Sequence, residues 1–165
     1  MGFVDEKFRA NKARYIFQCG LATASVLAVL LVLDAFSNAA VIASLGASSF
    51  VAFTMPRSDV SRPRFLVGGY VVGVAAGSLC YWLSLLAWPG PLIPKHSYIL
   101  FGALAVGLAI FAMVVTNTEH PPAAGVALGL VLGEWHGLTV VVILVGIVAL
   151  SAVKRLLRPV LIDLL

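Results

Sequence analysis

Charge is scarce in this chain. Lysine, arginine, aspartate and glutamate make up 11% of 165 residues, where a soluble domain carries about 25%. The stretches Phe65–Trp88, Tyr98–Val115 and Leu138–Val153 contain none at all. Uncharged runs of that length exclude an ordinary soluble domain and describe a polytopic membrane protein. Cysteine is also rare: Cys19 and Cys80 both fall in apolar runs, so neither a disulfide framework nor a metal motif is present, and both read as buried small hydrophobes. Histidines have no His-x-x-x-His spacing. Glu119 and His120 fall at the opposite membrane face from Glu134 and His136, so no metal and no cofactor is expected. No signal peptide is expected either: Met1–Arg14 is charged, and the run after it is long for a signal core and lacks a cleavage site.

Basic residues outnumber acidic ones, 11 to 7. They lie in loops beside the apolar runs, which argues for membrane topology and against nucleic acid. Val4–Arg14, with Lys7, Arg9, Lys12 and Arg14, reads as an amphipathic arm on anionic lipid. The apolar segments are Ile16–Phe36, Ala39–Met55, Phe65–Trp88, Tyr98–Val115, Ala123–Gly133 and Leu138–Val153. Four are long; the second and fifth are short. If all of them cross and the N-terminus is cytoplasmic, the arm, the Arg57–Arg64 loop and the Lys154–Arg158 region share the cytoplasmic side, and Lys95 alone lies outside. The expectation is an all-α membrane protein of about six membrane-entering helices. It divides into a cytoplasmic arm (1–14), a transmembrane domain (15–155) and a cytoplasmic tail (156–165), in a bacterial-type inner membrane.

The order long, short, long occurs twice, so two inverted three-segment halves are expected. Short, Gly/Pro-interrupted segments at matching places in two halves point to a transporter site; the competing reading is that small residues merely let helices touch. Glu119-His120-Pro121-Pro122 breaks the second half, and Leu45-Gly46-Ala47-Ser48-Ser49 is taken to break the first at Gly46. Two facing helix N-termini would offer backbone N–H groups and dipoles to an anion. The candidate ligand contacts are Gly46, Ala47, Ser48, Ser49, His120, Ala123, Ala124 and Gly125. Without Arg forks the pocket suits a small monovalent anion. His120 is either an anion donor and proton carrier or a helix cap; Glu119 is either a proton acceptor or an interface charge. Asp34, Glu134 and His136 read as headgroup-level residues, with an outer vestibule as the alternative. Gly68-Gly69, Gly73 and Gly77 form a small-xxx-small ladder, between halves or between subunits. Tyr81, Trp82 and Trp88 read as interface anchors. Arg62-Pro63-Arg64 reads as positive-inside anchoring, with an anion-attracting rim as the second choice.

Ser44-Leu-Gly-Ala-Ser-Ser49, Met55-Pro56 with Ser58, Arg62-Pro63-Arg64, Gly68-Gly69, and Ala105-Val-Gly-Leu-Ala109 leading to His120-Pro-Pro122 resemble the HPP family over about residues 14–155. The resemblance implies four transmembrane segments, against six from the charges, and a link to nitrite transport. Many bacterial relatives carry a C-terminal CBS regulatory domain. None follows here up to Leu165, so nucleotide regulation is not implied. The expected function is a transporter or channel for nitrite or a similar anion, working as a homo-oligomer and not as an enzyme. The rivals are a non-transporting membrane scaffold and an intramembrane enzyme built on Ser48 or Ser49 with His120.

Overall fold

The computed structural model describes residues 11–21, 23–24, 39–87, 95–133 and 135–164. Among these, every regular element is helical. Helix α1 covers residues 11–21. It is followed by α2 (Ala39–Thr54), a 3-10 turn (Asp59–Ser61), α3 (Pro63–Ala87), α4 (Lys95–Thr116), α5 (Pro121–Leu132) and α6 (Gly137–Leu157). Among the described residues, three helices are long and apolar enough to cross a membrane: Pro63–Ala87, Ser97–Thr116 and Gly137–Leu157. Helices α2 and α5, with 16 and 12 residues, reach only about 24 and 18 Å at 1.5 Å per residue, against a hydrocarbon layer of about 30 Å. The arm before residue 11, most of the first apolar segment with Asp34, the Trp88–Pro94 turn and Glu134 lie outside the described residues.

Side-chain contacts fix the direction of each helix. On α3, a Cβ added to Gly69, Gly73 or Gly77 would strike His120, Ala123 or Ala127 respectively, so α5 runs parallel to α3. Ser48 meets His120 and Ser44 meets Gly125, so α2 runs antiparallel to α5. Arg64 at the start of α3 donates to the carbonyl of Thr116, which ends α4. Lys154 near the end of α6 bonds Ser61. At the start of the chain, Tyr15 bonds the Leu164 carbonyl. Thus α2 to α6 alternate in direction. The Arg57–Arg64 loop, the end of α6 and the start of α1 share one end of the bundle. Tyr81 and Trp82 lie toward the other end, where Trp135 stacks on Tyr81 and donates to Ser78.

Helix α5 is the centre of this arrangement, packed by α2, α3 and α4. Ala123, Val126, Ala127 and Val131 are fully buried. The glycine ladder of α3 is what lets α5 in: at Gly73 any side chain would overlap the Ala123 carbonyl. The ladder therefore serves a contact inside the chain.

The first half lacks the expected break. Helix α2 runs from Ala39 to Thr54 straight through Gly46. No proline interrupts it, and a helical glycine costs only about 1 kcal/mol relative to alanine. Ser44 and Ser49 turn their hydroxyls back onto the carbonyls of Ala40 and Leu45, spending their polarity within the helix. Cys80 is buried as expected, whereas Cys19 faces outward from α1.

Residues 161–164 fold back across the basic end. Leu161 and Leu164 are buried, and the Leu164 N–H donates to the Thr54 carbonyl. Gln18, also buried, donates its amide to the carbonyls of Phe53 and Ile162 and accepts the Ile162 N–H. Asp163 accepts the Arg57 N–H.

Candidate functional site

The chain reverses between α4 and α5 through two adjacent devices. Asn117 takes a left-handed conformation, φ 53°, which asparagine tolerates better than most residues. Its N–H donates to Val114 and that of Thr118 donates to Met113, closing α4 with a Schellman motif. Two residues later His120 is extended (φ −139°, ψ 94°) and serves as N-cap of α5, with Pro121 and Pro122 in the first turn. Proline suits that position because its φ is already helical and its missing N–H would go unused.

The cap carries its imidazole inward, with 0% of the residue exposed. Nε2 lies 2.8 Å from Ser48 Oγ on α2. The same Oγ lies 2.8 Å from the Tyr70 hydroxyl on α3. Three helices thus contribute to one buried chain, Tyr70–Ser48–His120. The imidazole Nδ1 has no hydrogen-bond partner; the Val60 carbonyl is near the ring but outside hydrogen-bonding geometry.

The network assigns the proton positions. A buried tyrosine hydroxyl needs an acceptor, and Ser48 Oγ is the one it has. Ser48 must then donate to Nε2, which places the imidazole proton on Nδ1. The result is an unspent N–H donor inside the protein. No carboxylate among the described residues pairs with the ring.

The remaining predicted residues are placed less centrally. Gly46 is half-buried and Ala47 exposed on α2. Ser49 is buried but bonded to its own helix. Ala123 packs on Gly73 and Gly125 on Ser44, while Ala124 is half-buried. Glu119 is half-buried beside the cap. His136 caps α6 at the other end of the bundle, far from His120 along the fold.

Two expectations about donors are corrected. No second helix N-terminus exists at Gly46, because α2 is continuous there. At α5 the prolines lack N–H groups, and the first one available, on Ala123, already donates to the His120 carbonyl. The donors at this site are therefore side chains, supported by the positive end of the α5 dipole. Tyr70 escaped the sequence reading. Its one signal was a hydroxyl set beside Gly69, within an otherwise apolar stretch.

Residues 8–160 match the family described as HPP, transmembrane region. The chain belongs to the HPP transmembrane family. Two transmembrane proteins of Dictyostelium discoideum are similar to this HPP chain. One is 31% identical over 99 residues, 58% of this chain and 32% of its own length. The other is 32% identical over 97 residues, 57% of this chain and 29% of its own. The matched stretch thus spans about a third of the length of these relatives. No solved structure matches. Family membership and the three long apolar helices place this HPP protein in a membrane.

Proposed function

We propose that this HPP protein is a transporter or channel for a small monovalent anion, nitrite being the first candidate, and not an enzyme. The observation that carries the reading is the unspent Nδ1–H of His120, buried at the positive end of α5. An anion accepting that hydrogen bond complements the chain Tyr70–Ser48–His120, and protonation of the ring would let a proton travel with it. His120 lies level with Gly69, which is about 9 Å along α3 from Pro63. The site is thus close to the basic end of the bundle and not at its middle. By the positive-inside rule that end is cytoplasmic, which puts both termini in the cytoplasm of a bacterial-type cell, with anionic lipid around them. A homo-oligomer is part of the same reading.

A second reading draws on the same geometry. A serine hydrogen-bonded to histidine is also the start of a nucleophilic site. A hydrolytic triad needs a carboxylate on Nδ1, and Nδ1 here faces none. Labelling of Ser48 by a serine-directed fluorophosphonate would favour the enzyme.

The test is flux in proteoliposomes with nitrite, nitrate, formate, chloride or bicarbonate, and a pH dye inside. Nitrite flux in the wild type that disappears in His120→Ala is the expected result. Acidification or alkalinisation following the anion, absent from protein-free vesicles, identifies proton coupling. Folded, inserted protein that moves none of these anions defeats the proposal. It would leave the polar chain as interhelical glue in a scaffold.

A further inference from the structure

The imidazole of His120 is fully buried and its Nδ1 has no partner. A ligand that meets this atom needs an entrance. The ring is gripped by Ser48 on α2 and packs on Gly69 of α3. From Ser48 to Thr54, and from Pro63 to Gly69, each helix rises about 9 Å at 1.5 Å per residue. The chain that joins those two helix ends is the stretch 55–62, with the 3-10 turn Asp59–Ser61. It closes the basic end of the bundle on the same side as the ring.

This turn is set into the bundle. Pro56 and Ser61 are buried and Val60 is half-buried. It packs on α2 and α3, and the Val60 carbonyl is near the imidazole. Many of its bonds run within itself. The Ser61 N–H donates to Ser58 and the Arg62 N–H to Asp59. The Ser61 hydroxyl donates to the carbonyls of Pro56 and Ser58, and Arg62 pairs with Asp59 at 2.7 Å. A segment bonded to itself moves as one piece.

Its tie to a distant helix is of another kind. Lys154, buried near the end of α6, donates to the Ser61 carbonyl at 2.6 Å and to the Ser61 hydroxyl at 2.8 Å. The Arg57 N–H is held by Asp163 at the exposed start of the stretch, which leaves residues 58–62 to Lys154. A lysine ammonium is a charged donor on a flexible stem, so its bonds are strong and yet reversible.

We propose that residues 58–62 are the door to His120 and that Lys154 is its latch. The structure shows the closed state, with Lys154 on Ser61 and Val60 over the ring. Release of Ser61 lets the turn swing off the ends of α2 and α3, and the Nδ1 donor then faces the basic side. The inference rests on His120 being the place an ion must reach, and adds how that place is shut. The neighbouring turn at Thr118 is tied separately, by Arg64 to the Thr116 carbonyl.

The test reads access to His120 without reading flux. Full-length protein in neutral detergent is treated with diethylpyrocarbonate, and initial labelling rates are followed residue by residue by tandem mass spectrometry. His136, exposed at the other end, is the internal reference. Wild-type His120 should label far more slowly than His136. Lys154→Met, shown to be monodisperse, should speed His120 about tenfold, the rise in open population expected from losing one charge-assisted hydrogen bond. Ser61→Ala weakens the latch from the turn side and should give a smaller rise. The two changes together should fall short of the product of the separate rises, because they act on one contact. Arg64→Gln should leave the rate unchanged. Wild-type His120 labelling as fast as His136, or no rise in Lys154→Met, overturns the proposal. So does an equal rise in Arg64→Gln, which means general loosening. A latch confirmed in protein that moves no anion leaves the door standing and removes transport alone.

Discussion

Helices α2 and α5 are the two shorter apolar helices of the described α2–α6 bundle, and they pack against one another in opposite directions. Both are rich in small residues, yet they begin differently. Helix α5 starts where Pro121 and Pro122 oblige it to start, and its cap points a polar ring inward. Helix α2 passes its glycine without a break and supplies a hydroxyl from mid-helix. Glycine permits a break and proline enforces one. The consequence is a site with one helix terminus, whose second wall is a continuous helical surface.

The comparison is broken most directly by giving α2 a proline of its own. Gly46→Pro should destabilise the folded protein by about 3 kcal/mol or more, read as loss of the monodisperse peak in detergent chromatography. His120→Ala should cost about 2–3 kcal/mol, because it leaves a cavity and strands the Ser48 hydroxyl in a buried place. Its midpoint in thermal unfolding should fall together with flux. Tyr70→Phe removes one hydroxyl from the end of the chain and should cost about 1 kcal/mol. Ser48 still bonds His120 in that variant, so flux should survive in reduced form. The smallest effect separates the two helices best. Nothing lies within 4 Å of a Cβ added to Gly46, so Gly46→Ala should stabilise α2 by about 0.5–1 kcal/mol. A fall in unfolding midpoint for that variant would restore the idea of a break there.

Much of this architecture was legible in the order of residues. Uncharged runs gave the segments, the placement of arginines and lysines gave their alternation, and His120-Pro-Pro122 gave the start of α5. Those signals are local, or follow from the cost of placing charge in lipid. Gly46 misled because a small residue within a helix reads alike whether the helix bends there or packs there. Tyr70 and Lys154 were missed for another reason. Tyr70 matters through Ser48, 22 residues away in the chain, and Lys154 through Ser61, 93 residues away. No local periodicity encodes such pairings. The corrected site keeps Ser48 and His120 at its centre, adds Tyr70, and leaves Ala123 and Gly125 as the surfaces on which helices meet.

The clasp between Gln18 and residues 161–164 also has a meaning in time. Tyr15 and its partner Leu164 are 149 residues apart. At a synthesis rate of about 5–20 residues per second, that interval lasts on the order of ten seconds or more. During it the opening helix is already made, but the strand of backbone that will hold it does not exist. Residues 11–21 are therefore fastened, in the finished fold, by backbone that is made long after them.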